Sequence, residues 1–172
     1  LLPVLQKIPV VCLQTLATNS RTIAEHSVRK FGFLHQATDA DNLWSNTDIQ
    51  AVIGLTPHSH HASLVRSALQ NKKPLFLEKP LWTTEKEFSE RRTLAGQTES
   101  LPILLVGHNR RFSPHTKKML TWLNSRNTPL VVQMRVNCGF VPVTHWVHAE
   151  GKGHSRIVGE VSHFIGLLQS LT

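Results

Sequence analysis

The sequence predicts an α/β fold built on a doubly wound, mostly parallel sheet. Three observations predict it. Short apolar runs of strand length alternate with helical segments of ten or more residues, which is the pattern of βαβ units. The runs are apolar throughout, as strands covered on both faces are. Polar residues recur directly after four successive runs, and in a parallel sheet those positions share one edge, where ligands bind.

The elements follow in order. Residues 1–7 are an apolar-rich helical end, and 8–16 (IPVVCLQTL) read as a buried β-branched strand. Asn19 or Ser20 caps a helix that runs to Phe31 and stops at Gly32. A short helix covers 39–44, and 49–55 (IQAVIGL) form a second strand. Residues 58–70 form a helix with Ala62, Leu64, Val65, Ala68 and Leu69 inward, and 74–77 a third strand. Thr83 or Thr84 caps a helix through Leu94, with Glu87 completing a capping box with Thr84. Residues 103–106 are a fourth strand. Ser113 caps a helix over 114–123 that has Pro at its first position. Residues 130–136 are β-rich, 141–155 loop-like and 160–171 helical.

Composition sets the bounds. The 172 residues suit one domain, or one and a piece of another. Charged residues make up 17% against the roughly 25% of globular proteins, and 40% are apolar, which excludes wholesale disorder. No run approaches the roughly 18 apolar residues of a membrane helix. Two cysteines cannot form a disulfide framework, which fits a reducing, cytoplasmic compartment. The chain starts at Leu1, and its first residues read as helix rather than signal peptide. The net charge of +8 points to nucleic acid, an anionic membrane or a phosphate-bearing ligand.

The polar segments after the strands are Thr15-Leu16-Ala17-Thr18, Thr56-Pro57-His58, Glu78-Lys79-Pro80 and Gly107-His108-Asn109-Arg110-Arg111. A bare Glu-Lys-Pro could equally be a solvated pair. Taken with Thr56-Pro57-His58-Ser59-His60-His61 and the segment 106–114 (VGHNRRFSP), it resembles the glucose–fructose oxidoreductase / inositol dehydrogenase (Gfo/Idh/MocA) family. The stretches 135–142 (RVNCGFVP), 145–148 (HWVH) and 156–165 (RIVGEVSHFI) look like its bacterial polysaccharide-biosynthesis subgroup.

The resemblance implies a Rossmann-type NAD(P)-binding domain over 1–112 and the start of an α/β substrate domain over 113–172. It implies hydride transfer between NADP or NAD and a sugar, nucleotide-sugar or cyclitol carbinol, in a protein that is homo-oligomeric when full length. Lys79 matches the family's catalytic lysine, whose ammonium steadies a developing alkoxide. Glu78 would hold Lys79 or contact the ribose. Thr56, Pro57 and His58 match the turn over the cofactor's ribose and pyrophosphate. His61 matches a recurrent histidine beside them, with helix-start packing as the alternative. Asn109 and Arg110 match the segment touching nicotinamide and substrate. His163 aligns with the substrate-site histidine, the candidate acid/base, with a satisfied helix-face histidine as the alternative.

The chain departs from the family pattern at several points. It has no G-x-G-x-x-G loop, so the expectation is a fragment beginning just after that loop and binding dinucleotide poorly. Gly159 stands where many members carry Asp, Gly166 where the subgroup has Asp, and Gly153-His154-Ser155 where it has a triple glycine. The end of the first strand carries Thr18, Ser20 and Arg21 but no acid. An acid there would bind the ribose 2′-hydroxyl of NAD. Small hydroxyls and a guanidinium suit a 2′-phosphate, which favours NADP, although Arg21 reads equally as an exposed helix residue.

Three rivals were weighed. His58, His60 and His61 cluster, but His58 and His60 flank a helix start and no Cys or third ligand at a known spacing follows, so no metal is assigned. The basic pairs at 72–73, 91–92, 110–111 and 117–118 are scattered and match no nucleic-acid-binding motif, so no specific nucleic acid and no membrane partner is assigned. A non-catalytic relative that keeps only the fold is the third, supported by the altered residues around His163.

Overall fold

The computed structural model describes residues 1–96, 100–148 and 157–171. The expectations at Gly153-His154-Ser155 and Arg156 lie outside the described residues. The element order is α1 (Leu2–Leu5), β1 (Thr15–Ala17), α2 (Arg21–Phe31), β2 (His35–Ala37), α3 (Asp41–Ser45), β3 (Val52–Gly54), α4 (His61–Gln70), β4 (Leu75–Leu77), α5 (Glu85–Gly96), β5 (Leu104–Val106), α6 (Pro114–Leu123) and α7 (Ser162–Gln169). All strand pairs are parallel. β1 pairs β2 in one sheet, and β3-β4-β5 form another in chain order.

The local signals fall where the sequence places them. Ser20 accepts a bond from Ile23 N, and Gly32 ends α2 in the left-handed region at φ 74°. Thr84 and Glu87 exchange both capping-box bonds: Glu87 N donates to Thr84 Oγ1 at 3.2 Å and Thr84 N to Glu87 Oε2 at 3.1 Å. Ser113 caps α6, whose first residue is Pro114.

The core joins Trp44 and Ile49 to Val52 on β3, Val65, Ala68 and Leu69 on α4, and Leu75 and Leu77 on β4. Each large apolar side chain removed from water contributes about 1.5–3 kcal/mol. Gly54 is required by this packing, because a Cβ there would lie 2.6 Å from Leu77 Cδ1 and 2.9 Å from Leu64 Cδ1. Lys73, also buried, donates from Nζ to Leu43 O at 3.1 Å and Asn46 O at 2.6 Å, at the negative end of the α3 dipole.

Four expectations are corrected. Residues 8–14 are not in a strand; only Thr15–Ala17 enters the ladder, and Val10 is 92% exposed. Ahead of β1 only the Leu13 and Gln14 carbonyls reach β2, accepting from Leu34 N at 3.0 Å and His35 N at 2.9 Å, while Val11 N turns back to Ile8 O at 3.0 Å. β2 itself was not expected, since His35-Gln36-Ala37 carries no β-branched signal. Residues 130–136 form no strand, and Val131 is 94% exposed. The three-stranded sheet is not covered on both faces: Val52, Leu75 and Leu77 are buried, whereas Ile53 and Leu105 on the other face are exposed.

Leu77 is fully buried at the centre of this core. Leu77→Ala should lower stability by about 2–5 kcal/mol, read as a shift of the urea unfolding midpoint at unchanged slope.

Candidate functional site

The parallel register builds the site. Gly54, Leu77 and Val106 are neighbours across the three strands. Two residues further on stand Thr56, Lys79 and His108, so one row at the carboxyl edge collects a turn, an ammonium and an imidazole. The strand tails are tied by backbone bonds: Glu78 N donates to Gly54 O at 3.2 Å and Gly107 N to Leu77 O at 2.8 Å. Gly107 seats the Glu78 carboxyl group, which a Cβ at that position would approach to 3.2 Å.

His61 has no exposed surface. Its Nδ1 lies 2.6 Å from Pro80 O and its Nε2 3.0 Å from Thr56 O. Carbonyl oxygens only accept, so each contact is a bond whenever that nitrogen carries its hydrogen. The packing alternative therefore holds for His61. A fully buried ring with both nitrogens at carbonyls has no atom left for a dinucleotide; it fastens the Thr56 turn to the Lys79-Pro80 loop. His58 stacks edge-on to it at 5.6 Å, while Thr56 and Pro57 are exposed at the turn.

The second half of the site comes from α7 and the turn that leads into it. The Lys79 ammonium donates to the carbonyl of Gly159, a buried residue of the π-helical turn Ile157–Val161. The Arg110 guanidinium lies 4.3 Å from the centroid of the Phe164 ring. His163 is buried, with its ring centroid 6.4 Å from that of His108. The structure thus brings Lys79, His108, Arg110 and His163 together. Asn109 lies exposed at the same edge, and Glu78 forms no ion pair with Lys79 among the described residues.

Both imidazoles are held neutral. Burial pushes the His163 pKa down from 6.5 to about 4, reinforced by Lys79, Arg110 and His108 and opposed by Glu160. Burial also lowers His108, helped by Arg111 and Lys79 against Glu78. Nδ1 of each ring is buried without a hydrogen-bond partner among the described residues. The buried, unpartnered Nδ1 of His163, beside an ammonium, suits a ligand hydroxyl.

Thr18, Ser20 and Arg21 sit apart from this cluster, at the end of β1. Thr18 Oγ1 accepts from Ser20 N, Ser20 caps α2, and Arg21 Nε pairs with Glu25 Oε1 at 2.8 Å. Beside them opens a cleft of about 410 Å³ bordered by Arg21, Gln36, Thr38, Asp39 and Asn42. Gln36, Thr38, Asp39 and Asn42 escaped the sequence reading because β2 did. His108 lies in a polar segment the sequence singles out, but its role does not show there because its partner surface, Gly166, is remote in sequence.

Residues 2–108 match the Gfo/Idh/MocA family profile, described as an oxidoreductase family with an NAD-binding Rossmann fold. The chain is 38% identical over 84 residues to the uncharacterized oxidoreductase YrbE of Bacillus subtilis (strain 168), covering 49% of this chain and 24% of that protein. It is 33% identical over 91 residues to the scyllo-inositol 2-dehydrogenase (NAD(+)) of the same organism, covering 53% and 26%. The matched stretch spans about a quarter of the length of these relatives. Among solved structures, a levoglucosan dehydrogenase in complex with NADH and levoglucosan superposes with TM-score 0.73 at 19% identity, over 94% of this chain and 45% of that one. A Lactobacillus plantarum myo-inositol 2-dehydrogenase gives TM-score 0.63 at 19% identity, over 70% and 35%. At these identities the solved structures establish the fold: a parallel Rossmann-type α/β domain.

A depressed histidine binds its proton more readily in the unfolded chain, so stability rises with pH between about 4 and 6.5. Acidification from pH 7 toward 4 should therefore lower Tm, and His163→Gln should flatten that slope in a calorimetric series.

Proposed function

Since this chain belongs to the Gfo/Idh/MocA oxidoreductase family through residues 2–108, we propose that it transfers hydride reversibly between NAD(P) and a carbinol carbon of a sugar, nucleotide-sugar or cyclitol. The observation that carries the reading is the meeting of Lys79, tied to Gly159, with the buried neutral His163 at the carboxyl edge of a parallel sheet. The names of the relatives, which include scyllo-inositol and levoglucosan dehydrogenases, support the substrate class.

The cofactor's two ends find different surroundings. Thr56, Pro57, His58, Glu78, Asn109 and Arg110 would hold the ribose and nicotinamide. The cleft beside Thr18, Ser20 and Arg21 would take the adenosine end, its volume and mixed polar lining suiting a nucleoside. Arg21 can grip a 2′-phosphate, and Asp39 can accept from a 2′-hydroxyl, so both NADP and NAD fit the reading. When bound, the nicotinamide supplies the hydride acceptor or donor.

The chain's own residues supply the proton chemistry. His163, neutral above about pH 4, accepts the proton of the substrate hydroxyl as the carbinol becomes a carbonyl, and returns it in the reverse direction. Lys79 donates to the same oxygen and stabilises its developing negative charge. Gly159 O orients the ammonium until substrate arrives.

The same reading extends to organisation. Residues 1–112 are taken as the dinucleotide domain and 113–172 as the opening of the substrate domain of a cytoplasmic homo-oligomer. Support comes from the exposed apolar side chains of Val131, Phe140 and Val143, which await a covering surface. The motif 135–142 supports placement in the polysaccharide-biosynthesis subgroup. Among the described residues no helix is long and apolar enough to cross a membrane.

The test is NAD(P)-dependent oxidation of myo-inositol and levoglucosan by the purified full-length protein, followed by nicotinamide absorbance. Lys79→Ala should lower the rate about 10²–10³-fold while NADPH and NADH affinities stay within a few-fold. Cofactor binding without turnover of any polyol would instead support a non-catalytic relative.

A further inference from the structure

We propose that His108 and Gly166 form a docking point that positions His163: the gap at Gly166 on α7 seats the His108 imidazole and thereby sets how closely α7 brings His163 to Lys79. His163's importance rests on the functional reading above; the docking itself rests on geometry alone.

The anchor is the β5 tail. Gly107 N bonds to Leu77 O and His108 N to Val106 O, each at 2.8 Å, so the backbone carrying His108 is fixed to the sheet. The opposing surface is Gly166, which is buried. A Cβ there would lie 2.9 Å from His108 Nδ1, 3.3 Å from Cγ and 3.4 Å from Cε1. Three atoms of a rigid ring on a tethered backbone thus rest where any side chain would begin. Neither side yields easily, because the ring has no long flexible arm to swing away.

His163 precedes Gly166 by three residues and shares its helix face. Displacement at Gly166 is therefore transmitted to His163 by a rigid helical turn. Two further ties hold the same segment, the Lys79 bond to Gly159 O and the Arg110 contact with Phe164. Both end in long cationic side chains that can follow a moving helix. The His108 contact is steric and sets the distance. The buried Nδ1 of His108 has no partner among the described residues, so that nitrogen contributes shape rather than a bond. The lowered pKa of His108 agrees with a neutral ring there.

The groups facing His163 are Lys79 from the β4 loop, His108 and Arg110 from the β5 tail, and Glu160 from its own segment. His163 therefore reports its own position. Ring titration by NMR should give a midpoint near 4 in the unaltered protein. Gly166→Ala should raise it by about one pH unit or more, as burial and the neighbouring cations recede. In the double variant with His108→Ala, the added methyl should have no further effect beyond that of His108→Ala alone. An unchanged His163 midpoint in Gly166→Ala, or additive shifts in the double variant, would overturn the proposal. A nuclear Overhauser contact between the His108 ring and the Gly166 α-protons is expected in the unaltered protein, and its absence would overturn the proposal even if Gly166→Ala failed to fold. The ring contact and titration shift without any polyol turnover would sink the functional reading and leave the docking point standing.

Discussion

Parallel pairing of β3, β4 and β5 in one register is the constraint from which the site follows. Because Gly54, Leu77 and Val106 are neighbours, the chain must release Thr56, Lys79 and His108 along one edge. Gly54 leaves room for Leu77 and Leu64 to close over β3. The site and the core share β4, which buries Leu77 and carries Lys79 two residues further on. The buried His61 ring lies between two members of the row, with Nε2 at Thr56 O and Nδ1 at Pro80 O, and donates to whichever carbonyl faces its N–H.

Electrostatics follows from what α7 brings to this row. A histidine placed in the open beside Lys79 and Arg110 would keep water as a partner. Burial removes that water and leaves the cations, so both imidazoles are driven toward the neutral form. On the proposed function, an ammonium and a neutral imidazole side by side would divide the work of an alcohol–carbonyl interconversion, one holding negative charge and the other moving a proton. Gly159 contributes through its carbonyl, which receives the Lys79 ammonium. The net charge of +8 thereby acquires a local meaning, with Lys79, Arg110 and Arg111 around two rings whose pKa burial lowers first and these cations lower further.

What the sequence disclosed was local. Ser20, Gly32, the Thr84–Glu87 box and Ser113-Pro114 act within one helical turn, and each stands at the helix end it predicts. The motif residues after the strands were legible because a parallel sheet converts sequence position into a shared edge. Features that depend on distant partners were not. The β-branched run at 8–14 reaches β2 only through the Leu13 and Gln14 carbonyls, while His35-Gln36-Ala37, without a strand signal, pairs because β1 lies beside it. His61 looked like a cofactor contact until its two carbonyl partners, 5 and 19 residues away, accounted for both ring nitrogens. His108 stood in a singled-out polar segment without a role, because the space it fills belongs to Gly166, on an element whose approach no motif encodes.

The central claim is that hydride transfer takes place between the β4 and β5 tails and α7. A crystal structure of the protein soaked with NADH and myo-inositol tests it most directly. The account predicts the nicotinamide ring against Asn109 and Arg110, with a polyol hydroxyl between Lys79 Nζ and His163. Nicotinamide bound away from this edge, with Lys79 still engaged only by Gly159, would contradict it.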